Sequence, residues 1–442
     1  MRTPIVDFVK SYGNSDSVRA HMPGHKGKSF LGFESSDITE IDGADVLYSP
    51  DGIIEESENN ASSLFGSRHT FYSTEGSSLC IRAMVFLACQ GKKNPLILAS
   101  RNAHKAFLYA AALSDCEVSW IFGENGTHLC ACHITAEDVK LAIESADRKP
   151  DAVYVTSPDY LGNILDIKSI SEVCKEYDVP LLVDNAHGAY LNFLSENQHP
   201  IKLGASMCCD SAHKTLPVLT GGAYLHISEE APESFFRNAR QALSLFASTS
   251  PSYLILQSLD LCNSYLSDVY REKLTEAIKE TDSLKSFLKE KGFVLMGKEK
   301  LKLTLNAPSF GYTGAELYEA LKEKKIFCEF CDRDYLVMMF TPENSKNDFQ
   351  KIKEVFSSIP KKESFEAESF VMSNPKKVLS IRDAIFSSSE IIDTDKAEGR
   401  ICASPTVSCP PAVPVVISGE IITAETVQIL KYYNIKKVEV IR

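Results

Sequence analysis

Between residues 95 and 184 the chain alternates short apolar runs with amphipathic runs, and few folds accept that rhythm. The runs 95–99, 117–122, 152–156 and 180–184 are short enough to be strands, 95–99 apolar enough to be a buried one. Residues 103–113, 135–146 and 169–177 between them carry helical periodicity. Buried strands joined by helices of about ten residues make βα units, hence a mostly parallel sheet and an α/β fold. In such sheets ligands bind outside the carboxyl ends of the strands. The polar residues at those ends are His104, Thr156-Ser157-Pro158 and Asp184. Lys214 follows a further apolar, cysteine-bearing run at 205–209. One pocket edge would gather them.

Lys214 sits in the run SAHKTLPVLT, residues 211–220. A lysine at the end of a buried strand is partly desolvated, which lowers its pKa and frees an amine for nucleophilic work. Ser211 and His213 beside it are donors for an anion. The combination suits a Schiff-base lysine next to a phosphate, as pyridoxal phosphate requires. Alone, the pattern favours an ordinary surface lysine; its company reverses that. Asp184 ends the run Leu181-Leu182-Val183 and opens Asn185-Ala186-His187-Gly188. Such a carboxylate either holds a proton on a pyridinium nitrogen or caps the next turn. Gly76-Ser77-Ser78 opens a predicted helix, where hydroxyls and free N–H groups form either a phosphate cradle or a plain cap.

The 442 residues suffice for about two or three domains. We expect an N-terminal arm at 1–30, a large domain at 31–270 and a smaller α/β domain at 271–442. One long connecting helix is expected from 253 towards 290, since Leu266, Tyr270, Leu274 and Ile278 recur at i, i+4. The arm contains HMPGHKG at 21–27, a loop whose two histidines either reach a site or solvate a turn. The net charge of −12 argues against nucleic acid or an anionic membrane as partner. No stretch has the length of a membrane span or a signal peptide core. The 13 cysteines show no framework spacing. Cys328/Cys331, Cys130/Cys132 and Cys208-Cys209 match no zinc pattern, so no metal is expected and reduced thiols in a cytoplasmic protein are the simplest reading.

Together these stretches resemble the Orn/Lys/Arg decarboxylase family in its short bacterial form. The resemblance rests on PGHKG at 23–27, DVLYSPDG at 45–52, Gly76-Ser77-Ser78, RNAHK at 101–105 and Thr156-Ser157-Pro158. It continues through residues 181–188, 211–220, 248–253, 379–386 and 399–420, in the family's order over nearly the whole chain. It implies a pyridoxal-phosphate enzyme of the aspartate-aminotransferase fold (fold type I) that decarboxylates a basic L-amino acid. By that resemblance Lys214 would carry the cofactor and Asp184 would hold its ring nitrogen. His104 would stack on the ring, Ala186 would pack on its other face, and His187 would lie near the substrate. Ser77, Ser78, Ser211 and His213 would bind the phosphate. Residues 248–250, Thr249 among them, would reach the phosphate of a neighbouring subunit, implying at least a homodimer. Four places depart from the family's pattern: Asn185 where glutamate is common, Glu75 where asparagine is, Ser404 in the tail, and Ser408-Cys-Pro-Pro-Ala412 for Pro-Tyr-Pro-Pro-Gly. They bear on the substrate more than on the reaction class. Transamination or aldol cleavage on the same fold, with Arg382 or Arg400 as carboxylate clamp, and a non-catalytic regulatory relative are the alternatives.

Overall fold

The computed structural model describes residues 1–123, 130–366, 375–405 and 413–442. Strands β1 (His69–Ser73), β2 (Leu96–Ser100), β3 (Glu117–Ile121), β4 (Ala152–Thr156), β5 (Leu181–Asp184), β6 (Met207–Asp210) and β7 (Ala223–Ile227) make up a seven-stranded sheet. The helices Lys105–Ser114, Ala136–Ser145 and Ile167–Glu176 fall where the periodicity put them. Thr135 starts the second of these with a capping box: its hydroxyl accepts the Asp138 N–H, and the Asp138 carboxylate accepts the Thr135 N–H.

The chain divides into two compact units. The first comprises Met1–Gly91 and Ile167–Lys273 and holds β1, β7, β6 and β5 in that order. β5 and β6 run parallel, while β7 is antiparallel to both β6 and β1. All four strands are buried along their whole length. The N-terminal helix Pro4–Gly13 is fixed to this unit by Asp260, whose Oδ2 accepts the N–H groups of Ile5 and Val6, both at 3.0 Å. That single carboxylate satisfies two of the helix's open donors. His21 meets the Tyr12 hydroxyl at 2.5 Å and His25 meets Asp37 at 3.2 Å, so both histidines of the 21–27 loop have partners near their own segment.

The second unit, Lys92–Asp166 with Leu274–Arg442, holds the parallel strands β4, β2 and β3. It also carries an antiparallel four-stranded sheet of β8 (Val294–Met296), β9 (Lys302–Asn306), β10 (Phe330–Cys331) and β11 (Tyr335–Met339). Leu303, Leu305, Phe310, Phe349 and Phe356 pack in its core. A three-stranded sheet follows, of β12 (Ser389–Asp393), β13 (Cys402–Ser404) and β14 (Lys437–Ile441). The expected long helix is two helices, Tyr253–Asp268 and Tyr270–Glu290. Val269 breaks it with φ −135° and ψ −13° while its N–H still bonds Tyr265 O. An i, i+4 pattern reads through a one-residue break because Leu266 and Tyr270 stay buried on either side. Among the described residues no helix is long and apolar enough to cross a membrane.

Candidate active site

In the first unit the polar ends of β5 and β6 lie side by side, because their parallel register sets Asp184 opposite Cys209. Asp184 is buried, 3% exposed, and its Oδ1 accepts the Ala186 N–H at 3.2 Å and the Cys209 thiol at 3.7 Å. Burial, and next the Asp184 charge, push the Cys209 thiol far above its ordinary range, so it stays a donor. After Asp184 the chain turns at once. Gly188 N–H bonds Asn185 O at 2.7 Å, and a Cβ on Gly188 would stand 1.9 Å from Asn185 Oδ1. Glycine here leaves room for the Asn185 side chain.

The turn carries His187 to Lys214, with 3.1 Å between Nε2 and Nζ. Lys214 stands on the one-turn helix Ala212–Thr215 that follows β6, its own N–H bonded to Ser211 O at 3.0 Å. Ser211 Oγ donates to Ser77 Oγ at 2.8 Å. Ser77 and Ser78 lie in the first turn of the helix Gly76–Cys89, where backbone N–H groups have no partner within the helix. That helix start is tied down by a bond from Gly76 N–H to Gly221 O at 2.7 Å. Gly221 has φ +99°, and a Cβ there would meet Thr74 O at 2.9 Å, so this approach also requires glycine. His213 donates from Nδ1 to Gly222 O at 3.0 Å, which fixes its tautomer. An amine, a buried carboxylate and a hydroxyl pair at a helix N-terminus form the donor set of an anionic, carbonyl-bearing aromatic cofactor. Pyridoxal phosphate fits it.

Glu75, which precedes this cradle, turns its Oε1 to the Ser248 N–H at 2.7 Å. The carboxylate thus holds the exposed 248–250 segment, Thr249 included, of its own chain. His104 belongs to the second unit, where it caps the helix Lys105–Ser114 by accepting the Ala106 N–H at Nδ1, 3.1 Å away. Arg382 donates to Ala112 O at 2.8 Å, and Arg400 to Glu390 at 2.8 Å and Ile441 O at 2.7 Å. Both guanidinium groups therefore have work within their own unit. Ser404 ends β13, and the 408–412 departure lies outside the described residues.

One group escaped the sequence reading. Asn185 Nδ2 donates to Asp210 Oδ1 at 2.6 Å, and Asp210 Oδ2 meets His199 Nε2 at 3.0 Å and His226 Nε2 at 3.1 Å. Its members come from separate strands and loops, so no spacing in the sequence announces it. The polar residue ending an apolar run, Asp210, was the available signal.

Residues 3–304 match the model of the Orn/Lys/Arg decarboxylase major domain, and residues 361–439 match that of the family's C-terminal domain. The chain belongs to the Orn/Lys/Arg decarboxylase family. It is 31% identical to an arginine decarboxylase of Bacillus subtilis over 96% of this chain and 92% of the relative. It is 29% identical to an arginine decarboxylase of Halalkalibacterium halodurans over 98% of this chain and 94% of the relative. Among solved structures it resembles the E. coli constitutive lysine decarboxylase, with TM-score 0.80, 16% identity, and coverage of 100% of this chain and 82% of that one. A Sphingomonas wittichii serine palmitoyltransferase superposes with TM-score 0.57 at 13% identity, covering 81% of this chain and 83% of that one. The fold is the type I fold of pyridoxal-phosphate enzymes, and membership makes the chain an amino-acid decarboxylase of the pyridoxal-phosphate class.

Proposed function

We propose that this decarboxylase releases CO₂ from a basic L-amino acid, arginine first and lysine or ornithine next, with pyridoxal phosphate held at Lys214. The observation that carries this reading is the 3.1 Å contact between Lys214 Nζ and His187 Nε2, beside the buried Asp184. Arginine is put first because relatives near 30% identity across almost their whole length carry that name. A serine palmitoyltransferase of the same fold, TM-score 0.56, was solved with pyridoxal phosphate.

Pyridoxal phosphate, when bound, supplies an electron sink for the pair left at Cα as the carboxylate departs. Lys214 supplies the amine that binds the cofactor's carbonyl carbon. Asp184 would hold a proton on the cofactor's ring nitrogen; buried and fixed by Ala186 and Cys209, it would need little rearrangement as charge develops. His187 is within hydrogen-bond reach of Lys214 Nζ and can pass a proton to or from it. Ser77, Ser78, Ser211 and the helix N-terminus take the phosphate, with His213 beside them. The roles of His104 and Ala186 on the ring faces, and of Thr249 at a neighbouring subunit's phosphate in a homodimer or larger oligomer, are carried over from the family resemblance. The described cysteines are all free thiols, which suits work in the cytoplasm.

The test is mass spectrometry of products from purified protein incubated with pyridoxal phosphate and each common amino acid in turn. One amine should appear, agmatine if the substrate is arginine, and vanish in Lys214→Ala together with the cofactor's visible absorbance. A keto acid in place of any amine would move the protein to a transaminase. No product at all, with the absorbance retained by the native protein, would make it a non-catalytic relative.

A further inference from the structure

On the face of β6 that carries Cys208 and Asp210, four ligating side chains meet. Successive strand residues point to opposite faces, so Cys208 and Asp210 share one face while Cys209 serves Asp184 on the other. The antiparallel register sets His226 of β7 directly across from Cys208, and Thr70 of β1 directly across from His226. His199 comes in from the loop before β6. One ligand atom from each of His199, Cys208, Asp210 and His226 lies within 4.8 Å of the others, and all four side chains are buried.

We propose that this cluster is a structural site for a divalent, zinc-class metal ion. Two imidazoles, one thiolate and one carboxylate are zinc's usual donors, and four protein ligands with none left to solvent mark a closed structural site. The surrounding groups suit it. Thr70 Oγ1 meets His226 Nδ1 at 2.8 Å, which leaves Nε2 for the metal. Asn185 Nδ2 occupies Asp210 Oδ1, which leaves Oδ2. Such outer hydrogen bonds orient metal ligands. The Phe65 ring lies 5.3 Å from His199 and 4.6 Å from His226 between centroids and walls the cluster with carbon.

Charge gives the same answer. A dication with the Cys208 thiolate and the Asp210 carboxylate is neutral, whereas the metal-free cluster leaves the Asp210 carboxylate buried with only imidazole and amide donors. The two states exclude each other, because the metal would take the same Nε2 and Oδ2 atoms that now share hydrogens. The site is separate from the cofactor chemistry on the other face of β6. Its role would be to pin β6 and β7 behind the loop that begins at Ser211.

The test uses the tagless holoenzyme, expressed in medium supplemented with Zn²⁺ so that the ion is present during folding. Elemental analysis after desalting should give about one zinc per chain. Zinc K-edge absorption should then show one sulfur at about 2.3 Å and three nitrogen or oxygen neighbours at about 2.0–2.1 Å. Cys208→Ser should lose the sulfur shell or most of the zinc, and Cys262→Ser, a buried thiol outside the cluster, should keep both. Fewer than about one chain in ten carrying zinc, a wild-type shell without sulfur, or an unchanged shell in Cys208→Ser would each overturn the assignment. The wild-type spectrum decides even if Cys208→Ser does not fold.

Discussion

Adding one methyl group at Gly188 should unlatch the Asp184–His187 turn by displacing the Asn185 side chain. In Gly188→Ala the new Cβ would stand 1.9 Å from Asn185 Oδ1, 2.7 Å from its Cγ and 2.8 Å from Leu191 Cδ1. The backbone itself is unstrained, since Gly188 has φ −115°. The Asn185 amide has to swing away, and its 2.6 Å bond to the Asp210 carboxylate breaks. Losing a hydrogen bond to a buried charge costs about 1.5–3 kcal/mol. Overpacking adds about 1–3 kcal/mol, so the variant should lose about 3–5 kcal/mol. Asn185→Ala loses the same bond without the clash, about 2–3 kcal/mol. In the double variant the methyl meets only Leu191, so the total should be about 3–4 kcal/mol rather than the sum of the singles. Urea unfolding of the four proteins, at one protein concentration and saturating cofactor, measures the cycle. Additivity within about 0.5 kcal/mol would refute the reasoning, because it would mean that the two residues do not collide.

Three further outcomes are expected. Asp184→Ala should lower kcat about 10²–10³-fold, and Ser77→Ala should act mainly on cofactor affinity, because only Asp184 answers charge that appears during the reaction; equal effects on kcat would contradict that division. Glu75→Gln should leave the cofactor dissociation constant within about threefold, since a carboxylate already turned to the Ser248 N–H gives little repulsion at the cradle; a tenfold tightening, read by titration of the cofactor absorbance, would show that its charge does reach the phosphate. Burial pushes the Asp260 carboxyl up to about 6, against the hydrogen bonds it accepts from Ser57, Val6 and Ile5. The folded state therefore keeps a proton that the unfolded chain has released, and stability should fall by about 2–3 kcal/mol as pH rises from about 4 to about 6. Asp260→Asn should flatten that slope, and parallel urea midpoints for both proteins across the range would rule it out.

Much of this was legible before any coordinates. The alternation across residues 95–184 points to the parallel strands: β2, β4 and β5 are apolar runs because both their faces are buried, whereas β3 alternates, with Glu117 and Ser119 exposed. Asp184, Lys214 and Ser77 each had an ordinary reading taken alone, as a turn cap, a surface lysine and a helix cap, and stood out only through their combination with the family resemblance. The break at Val269 was not legible: an i, i+4 stripe survives one non-helical residue when the flanking side chains stay buried. Neither was the Glu75–Ser248 bond, which joins residues far apart in the chain. The cluster at Cys208 was hidden for a related reason. Spacing rules assume ligands on one local turn, and these ligands are assembled by strand register.

β6 is only four residues long, and its neighbours read it from both sides. A slip of one position during assembly would exchange its faces, turning Cys208 towards Asp184 and Cys209 towards His226. A chain that has docked β6 in register against both β5 and β7 has set the floor beneath Lys214 and the packing behind it together. Laboratory evolution of this enzyme should accordingly find the loops after β5 and β6 easier to alter than any of residues 207–210.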